Sequence, residues 1–433
     1  MDRLANVSLL IHDLDAAVTP AGSGPLRGGR FGELRVHSPA SIAVSGDRIV
    51  AVGPPEEVWR GFPVGTEFDS LDGRGKVALP GLIDCHAHPA FLGDRAAEFE
   101  LRSSGAGYEE IHASGGGIRS TVAATRAGSE EELQAAVERH LRWMLEHGTT
   151  TAEAKSGYGL DLPTELRLLE VAHRLGKEGP VEILPTWLGA HAVAPEFRAR
   201  PDGTEAFVRY LIEEQLPGVV AQGRARFADV FCERGVFSPE QARRVLEAAA
   251  RLGLGARLHA DELAPSGGAE LAAEIGAHSA DHLATPSQAG IDALAAVAHD
   301  NRPVVAVLLP ATTWFLMHDD MAPARTFIDR GVPVALATDF NPGTSPTPSL
   351  PLVMSVACLA LKLTPSEALS AVTINAAAAL GLAEEVGSIE GGRQADLAIW
   401  SVPTHRQIPY WPAADLIRAV VKRGRVVVER AAP

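Results

Sequence analysis

Eight times between residues 81 and 343, a short β-branched, apolar run gives way to a longer amphipathic pattern. The strand segments end in GLIDCHAH (81–88), TTTAEAKSGYG (149–159), VEILPTWLGAH (181–191), FADVFCERG (227–235), ARLHADE (256–262), HSADHL (278–283), PVVAVLLPATT (303–313) and PVALATDFNPG (333–343). Among the intervening patterns are EEELQAAVERHLRWMLEHG, TELRLLEVAHRLGKEG and SPEQARRVLEAAARLGLG, with apolar residues three and four apart, acidic starts and glycine stops. Strand–helix alternation demands parallel pairing, and eight units predict a closed (β/α)8 barrel over residues 79–384. The alternative is an open, doubly wound sheet. The chain ends read differently. Residues 33–53 alternate as short strands around Ser45-Gly46-Asp47, and 387–402 and 419–430 alternate likewise. Neither end holds enough strands for a stable sheet. The economical solution is one small β-sandwich domain built from both termini, residues 1–78 and 385–433. PAGSGPLRGGRFGE, covering residues 20–33, reads as a local insertion.

Composition narrows the class. Of 433 residues, 46% are hydrophobic and 21% charged, enough for a large packed core. Lys and Arg number 39 against 54 Asp and Glu, a net charge of −15. Such a surface repels phosphate, so neither nucleic acid nor an anionic membrane is an expected partner. Cys85, Cys232 and Cys358 lie far apart with no CxxC, which argues against a disulfide framework or a thiolate zinc knuckle. The start lacks a signal peptide's apolar core, and no run is long enough to span a bilayer. The expected location is the cytoplasm.

The histidines carry the chemistry. There are 15, yet His86, His88, His191, His259 and His282 all fall at expected strand ends. A barrel gathers its strand ends on one face. His86 and His88, two apart on a strand, share a side. His259 opens His-Ala-Asp-Glu after Ala256-Arg257-Leu258, and Glu262 just past it is placed to move a proton from a metal-bound water. The plainer reading of these acids is a solvated helix start. Asp339 follows the buried run PVALA on the last strand, where an isolated carboxylate demands a cation. An Asx turn into Asn341-Pro342-Gly343 is the competing reading. His282 is placed to orient water or touch substrate, or simply to pack. Three histidines and one aspartate form a mixed N/O site of zinc or ferrous type with room for water. Gly115-Gly116-Gly117 lacks the Lys-Ser/Thr of a phosphate loop; it is either a mobile cover over the site or a plain connection.

The motifs PGLIDCHAH, HADE and ATDFNPG, followed by GSIEGGRQADLAIW, resemble the amidohydrolase superfamily. HPAFLGDRAAEFELR, ASGGGIRSTVAATR, EAKSGYGLD, LGAHAVAPE, DVFCERGVFS and TDFNPGTSP are similar to the branch that opens an imidazolone ring in histidine degradation. The resemblance runs from about residue 77 to 430. It implies a hydrolase acting on the carbon–nitrogen bond of a cyclic amide, converting 4-imidazolone-5-propanoate to N-formimidoyl-L-glutamate. It implies one divalent metal per subunit, Zn or Fe, on His86, His88, His259 and Asp339, and a homodimer. Glu262, His282 and Asp339 take the catalytic roles. Substrate contacts carry over to Arg95, Tyr158, His191, Glu262, Asn341, Gly343 and Thr344. Arg95 offers a planar fork for the propanoate carboxylate; by itself it reads as a salt bridge to Asp94 or Glu98. Tyr158 lies in a Gly-flanked loop that lets backbone approach a ligand, or packs on a turn. Lys155, after the second strand, reads as a hydrogen-bonding or structural residue. A deaminase or other cyclic amidase on the same scaffold is the enzymatic alternative. A metal-binding protein with a decayed site is the non-enzymatic one.

Overall fold

The computed structural model describes residues 6–60, 62, 67–105 and 116–431. Gly115 and the segment before it lie outside the described residues, and with them the reading of a covering glycine loop. The eight expected barrel strands are all present. They are β1 (Leu82–Asp84), β2 (Thr149–Lys155), β3 (Glu182–Ala190), β4 (Phe227–Cys232), β5 (Gly255–Ala260), β6 (Ser279–His282), β7 (Val305–Leu308) and β8 (Val334–Leu336). Each pairs in parallel with the next, from β1 through to β8. The last gap closes through a parallel bridge between Ala87 and Phe340, just beyond β1 and β8. The sheet is therefore a barrel and not an open doubly wound layer.

The helices form where the sequence supplies caps and one apolar stripe. Glu130–Glu146 begins with a capping box in which Ser129 and Glu132 satisfy each other's backbone N–H groups. It buries Leu133, Val137, Leu141, Met144 and Leu145. Pro239–Arg251 repeats the device with Ser238 and Gln241. Among the described residues, no helix is long and apolar enough to cross a membrane.

Two further sheets come from the chain ends. One has four strands, ordered Arg48–Gly53, Ala40–Ser45, Leu9–Leu14, Asp69–Asp72. The other has six and mixes both termini: Arg425–Glu429, Ile417–Lys422, Leu397–Trp400, Val77–Pro80, Ala16–Pro20 and Leu34–His37. Leu9, Ile11, Ile42 and Val44 pack with Leu397, Ile399 and Val421 in one apolar core, the sandwich of the composite domain. Val77–Pro80 pairs in this sheet and runs directly into β1, so this strand joins the terminal sheet to the barrel. The segment read as an insertion ties back to the barrel: Leu26 and Phe31 join the main core, and the Leu26 N–H donates to Asn375 Oδ1 at 2.7 Å.

His140 packs one barrel helix against the segment after β1. Its Nδ1 donates to the Pro89 carbonyl at 2.8 Å and its ring stacks on Phe91. Burial lowers its pKa from 6.5 to about 4, so the folded state holds it neutral. The unfolded chain takes up a proton near 6.5 and the folded chain only near 4, so stability is lost as pH falls through that window. Each such group contributes at most about 1.4 kcal/mol per pH unit. His278 and His405 are held near 4 in the same way. His140→Asn keeps a donor for Pro89 and removes one titration. Thermal melts between pH 6.5 and 4 should show a shallower acid limb for this variant; an unchanged limb would contradict the assignment.

Candidate active site

The candidate residues meet at the carboxyl ends of the strands, where their environment follows from the barrel's closure. His86 and His88 lie just past β1 and not within it, because this segment leaves β1 to bridge Phe340. Asp339 likewise lies three residues beyond β8 and not on the strand, at φ 51°. Its N–H donates to the His86 carbonyl, and the His88 N–H donates to the Phe340 carbonyl, each at 2.9 Å. His282 ends β6 at φ 75°. Positive φ in non-glycine residues costs on the order of 1–3 kcal/mol each, and such strain concentrates at functional sites.

The ring nitrogens and one carboxylate converge. His88 Nε2 is 3.3 Å from His86 Nε2 and 3.3 Å from Asp339 Oδ1, and His86 Nε2 is 3.5 Å from the same oxygen. The His259 ring centroid lies 4.6 Å from that of His86 and 5.5 Å from that of His88. Ligand atoms about 2.0–2.1 Å from one tetrahedral cation stand about 3.3–3.4 Å apart, the spacing found here. His259 Nε2 and His282 Nε2 are buried and have no hydrogen-bond partner among the described residues. An orphaned buried ring nitrogen of this kind calls for a partner in the cleft, a cation where it carries the lone pair or an acceptor where it carries the proton. His86, His88 and Asp339 form one group able to hold a cation, and His86, His259 and His282 form an overlapping one. The residues fit a divalent metal.

Electrostatics give the same answer. Burial lowers the pKa of His88, and it drives that of His259 well down, so these rings keep their lone pairs. Burial also lowers His282 to about 3 and His191 to about 3. His86 differs. Burial and Lys155 oppose its charge, yet Asp281 and Asp339 raise it to about 9, so this corner demands a positive charge. Burial, with Asp339 and Glu233, pushes Glu262 up to about 8. A cation facing it is what would let it ionise at neutral pH. Glu262 does not start a helix: the following helix is Gly268–Glu274, and the Asp261 carboxylate accepts from the N–H groups of Ser266, Gly268 and Ala269. Glu262 Oε2 instead lies 3.6 Å from His282 Nε2.

His88, His259, Glu262, His282 and Asp339 line a cleft of about 990 Å³ together with Arg95, Tyr158, His191, Asn341 and Thr344. His191 donates Nδ1–H to the Gly157 carbonyl at 3.1 Å and stacks beside His88, with centroids 5.3 Å apart. Tyr158 is 3% exposed, and burial raises its pKa, so its hydroxyl stays protonated. Arg95 does pair with Glu98, Nε to Oε2 at 2.7 Å. That contact uses only Nε, and among the described residues no hydrogen bond takes the two terminal nitrogens, which are left for a ligand. The other Glu98 oxygen accepts from the Gly117 N–H at 2.9 Å. The Asx turn belongs to Asn341: its Oδ1 accepts from the Gly343 and Thr344 N–H groups, each at 2.8 Å. A Cβ on Gly343 would overlap the Arg95 guanidinium.

Three site residues escape the sequence reading. Asp281 Oδ2 lies 2.6 Å from His86 Nδ1, Asp229 Oδ1 lies 3.1 Å from His259 Nδ1, and the Thr312 hydroxyl donates to Asp339 Oδ2 at 2.7 Å. The available signal was an acid at an inward position of an apolar strand, as in Phe227-Ala228-Asp229-Val230.

The fold and this site define a metal-dependent hydrolase, and the amidohydrolase family model matches residues 77–427; the chain belongs to that family. Within it, the chain is 57% identical to imidazolonepropionase of Rubrobacter xylanophilus, covering 97% of this chain and 99% of the relative. It is 51% identical to imidazolonepropionase of Geobacillus kaustophilus, covering 97% and 98%. Its place in the family is among the imidazolonepropionases. Solved structures of the same fold include a zinc-bound adenosine deaminase from Xanthomonas campestris, with TM-score 0.69, 18% identity and 98% and 93% coverage. A Xaa-Pro dipeptidase with bound methionine follows, with TM-score 0.68, 17% identity and 96% and 99% coverage. At these identities the likeness is one of fold.

Gly343→Ala is expected to push the Arg95 guanidinium aside. A crystal structure of the variant would show the shift. Titration with propanoate should show roughly tenfold weaker binding, the low end of what a charge-assisted hydrogen bond supplies.

Proposed function

We propose that this chain hydrolyses 4-imidazolone-5-propanoate to N-formimidoyl-L-glutamate, with residues 79–384 as the catalytic unit and two copies forming the working dimer. The observation that carries this reading is the free edge of Arg95 opening into the same cleft as the histidine–aspartate cluster. Near-full-length identity to imidazolonepropionases supports it. Arg95 anchors the propanoate carboxylate with a planar fork in an otherwise acidic protein. Tyr158, held as a phenol, and His191, held neutral, give donors around the ring. Asn341 fixes the loop that presents Gly343 and Thr344.

His86, His88, His259 and Asp339 would hold one Zn or Fe ion. When bound, it supplies Lewis acidity that makes water a competent nucleophile near neutral pH. Thr312 holds Asp339 Oδ2 and so leaves Oδ1 facing the imidazoles. Glu262 takes a proton from the attacking water as its oxygen bonds to the imidazolone carbonyl carbon. His282 donates a hydrogen bond to the oxyanion that develops there. Glu262 then gives its proton to the departing ring nitrogen. The bond between carbonyl carbon and nitrogen breaks, the carbonyl becomes the second carboxylate, and the nitrogen leaves within the formimidoyl group.

The direct test follows imidazolone absorbance in the ultraviolet and identifies the product by mass. Consumption without formimidoylglutamate would overturn the reading. Glu262→Gln should lower kcat by about 10²–10⁴ with metal content and Tm unchanged. Turnover near that of the parent would remove Glu262 from proton transfer. Arg95→Ala should raise KM for the propanoate substrate far more than it lowers kcat. An equal loss on a substrate lacking the carboxylate would remove Arg95 from the anchoring role.

A further inference from the structure

Below the four ligands, the barrel interior holds an unusual layer. Barrel cores are ordinarily filled by branched apolar side chains. Here Glu153 and Lys155 of β2, Asp229 of β4, Arg257 of β5 and Asp281 of β6 all point inward, each with 0% exposure. Lys155 Nζ lies 2.5 Å from Asp229 Oδ2, 2.9 Å from Glu153 Oε2 and 3.6 Å from Asp281 Oδ2. Arg257 closes the ring from beneath, with Nε 3.0 Å from Glu153 Oε1 and Nη2 3.2 Å from Asp281 Oδ2. Its terminal nitrogens also donate to the Cys85 carbonyl at 2.6 Å and the Ala379 carbonyl at 2.9 Å. Buried ion pairs of this kind rarely stabilise a fold better than apolar packing would, so their presence calls for another reason.

Two of the carboxylates face both ways. Asp229 meets Lys155 with Oδ2, and His259 Nδ1 lies across both of its oxygens, 3.1 Å from Oδ1 and 3.0 Å from Oδ2; Oδ1 also accepts from the His259 backbone N–H at 3.2 Å. Asp281 Oδ2 meets both the His86 Nδ1 and the Arg257–Lys155 side. A carboxylate can only accept, so each imidazole must carry its proton on Nδ1 and turn Nε2 to the cluster above. We propose that Lys155 is a positioning residue shared by two metal ligands: its ammonium fixes Asp229 and Asp281 together, and through them sets the tautomer and aim of His259 and His86. The layer also sets the charge. Three carboxylates against two cations, with Asp339 above, leave two negative charges, which one divalent ion balances.

This inference rests on the metal reading above, and its test separates the two. The first arm measures zinc affinity by chelator competition on the full-length protein. Lys155→Met should bind zinc about 10–100-fold more weakly, the usual effect of losing an outer partner of a ligand. Asp229→Asn and Asp281→Asn serve if Lys155→Met fails to fold. Combined, they should depart from additivity by more than about twofold, because both act through one ammonium. Parent-like affinity in Lys155→Met, or additivity of the two Asn variants within that factor, would overturn the proposal.

The second arm needs no metal. In stripped protein labelled with ¹⁵N-histidine, the parent should show His259 as the Nδ1–H tautomer and His86 with its Nδ1–H held in the hydrogen bond to Asp281. Asp281→Asn should disturb His259 as well as His86, and Asp229→Asn should disturb His86 as well as His259. Effects confined to the directly bonded ring would overturn the sharing. Failure of the parent to take up zinc, with the tautomer coupling intact, would instead overturn the metal reading and leave the positioning role standing.

Discussion

Two backbone hydrogen bonds close this barrel, and both run between ligand-bearing segments. Asp339 N–H reaches the His86 carbonyl, and His88 N–H reaches the Phe340 carbonyl. The seam between first and last strands is thus also the place where three of the four candidate ligands meet. Closure and site assembly become one event: an open sheet would leave His86 and His88 on one edge and Asp339 on the other. Thr338 reinforces the seam, since Asp84 accepts from both its N–H at 3.1 Å and its hydroxyl at 2.5 Å. Burial holds Asp84 up at about 6, against the pull of those donors. An acid at the centre of the seam is retained although burial opposes its charge, which marks the joint as built for geometry above stability.

The chemistry grows from dryness. At buried positions such as these, neutral imidazoles are favoured and carboxylates need partners. His88, His191, His259 and His282 accordingly stay uncharged. Asp229 and Asp281 are held ionised by Lys155, Arg257 and the ligand imidazoles. The result is a floor of fixed dipoles and paired ions under a set of lone pairs. Such a floor need not reorganise as charge develops above it, which is the condition under which electrostatic stabilisation of a transition state is largest.

Much of this was legible in the chain. Strand–helix alternation gave the barrel because parallel pairing and helix spacing are local signals. The strand-end histidines pointed to the candidate ligands because their positions follow from the strands. Two placements were off by a few residues: Asp339 and the His86–His88 pair sit beyond the strands on which they were expected, since the closing bridge draws them past the last regular pairing. The acids at Asp229 and Asp281 were not read, because their partners stand on other strands and no spacing along the chain reports that. The competing readings of Arg95 and of the turn after Asp339 resolved in a similar way. Arg95 is salt-bridged through Nε with its fork unpaired among the described residues, and the Asx turn is real but belongs to Asn341.

The pairing of Arg95 with Glu98 explains how an acidic protein presents a cation without wasting it. An unpaired guanidinium near a negatively charged surface would be drawn to whichever carboxylate lay nearest, by both terminal nitrogens. Glu98 takes only Nε, while its other oxygen is engaged by the Gly117 N–H. The guanidinium is held from behind and packs so closely on Gly343 that any side chain there would collide with it. A bidentate carboxylate can then dock on the outer edge without displacing an existing partner. Affinity gained this way comes from preorganisation, because the fork loses little freedom on binding. The same logic accounts for a glycine in a loop whose turn Asn341 already enforces: at residue 343 the glycine is needed for the space it leaves and not for its backbone freedom.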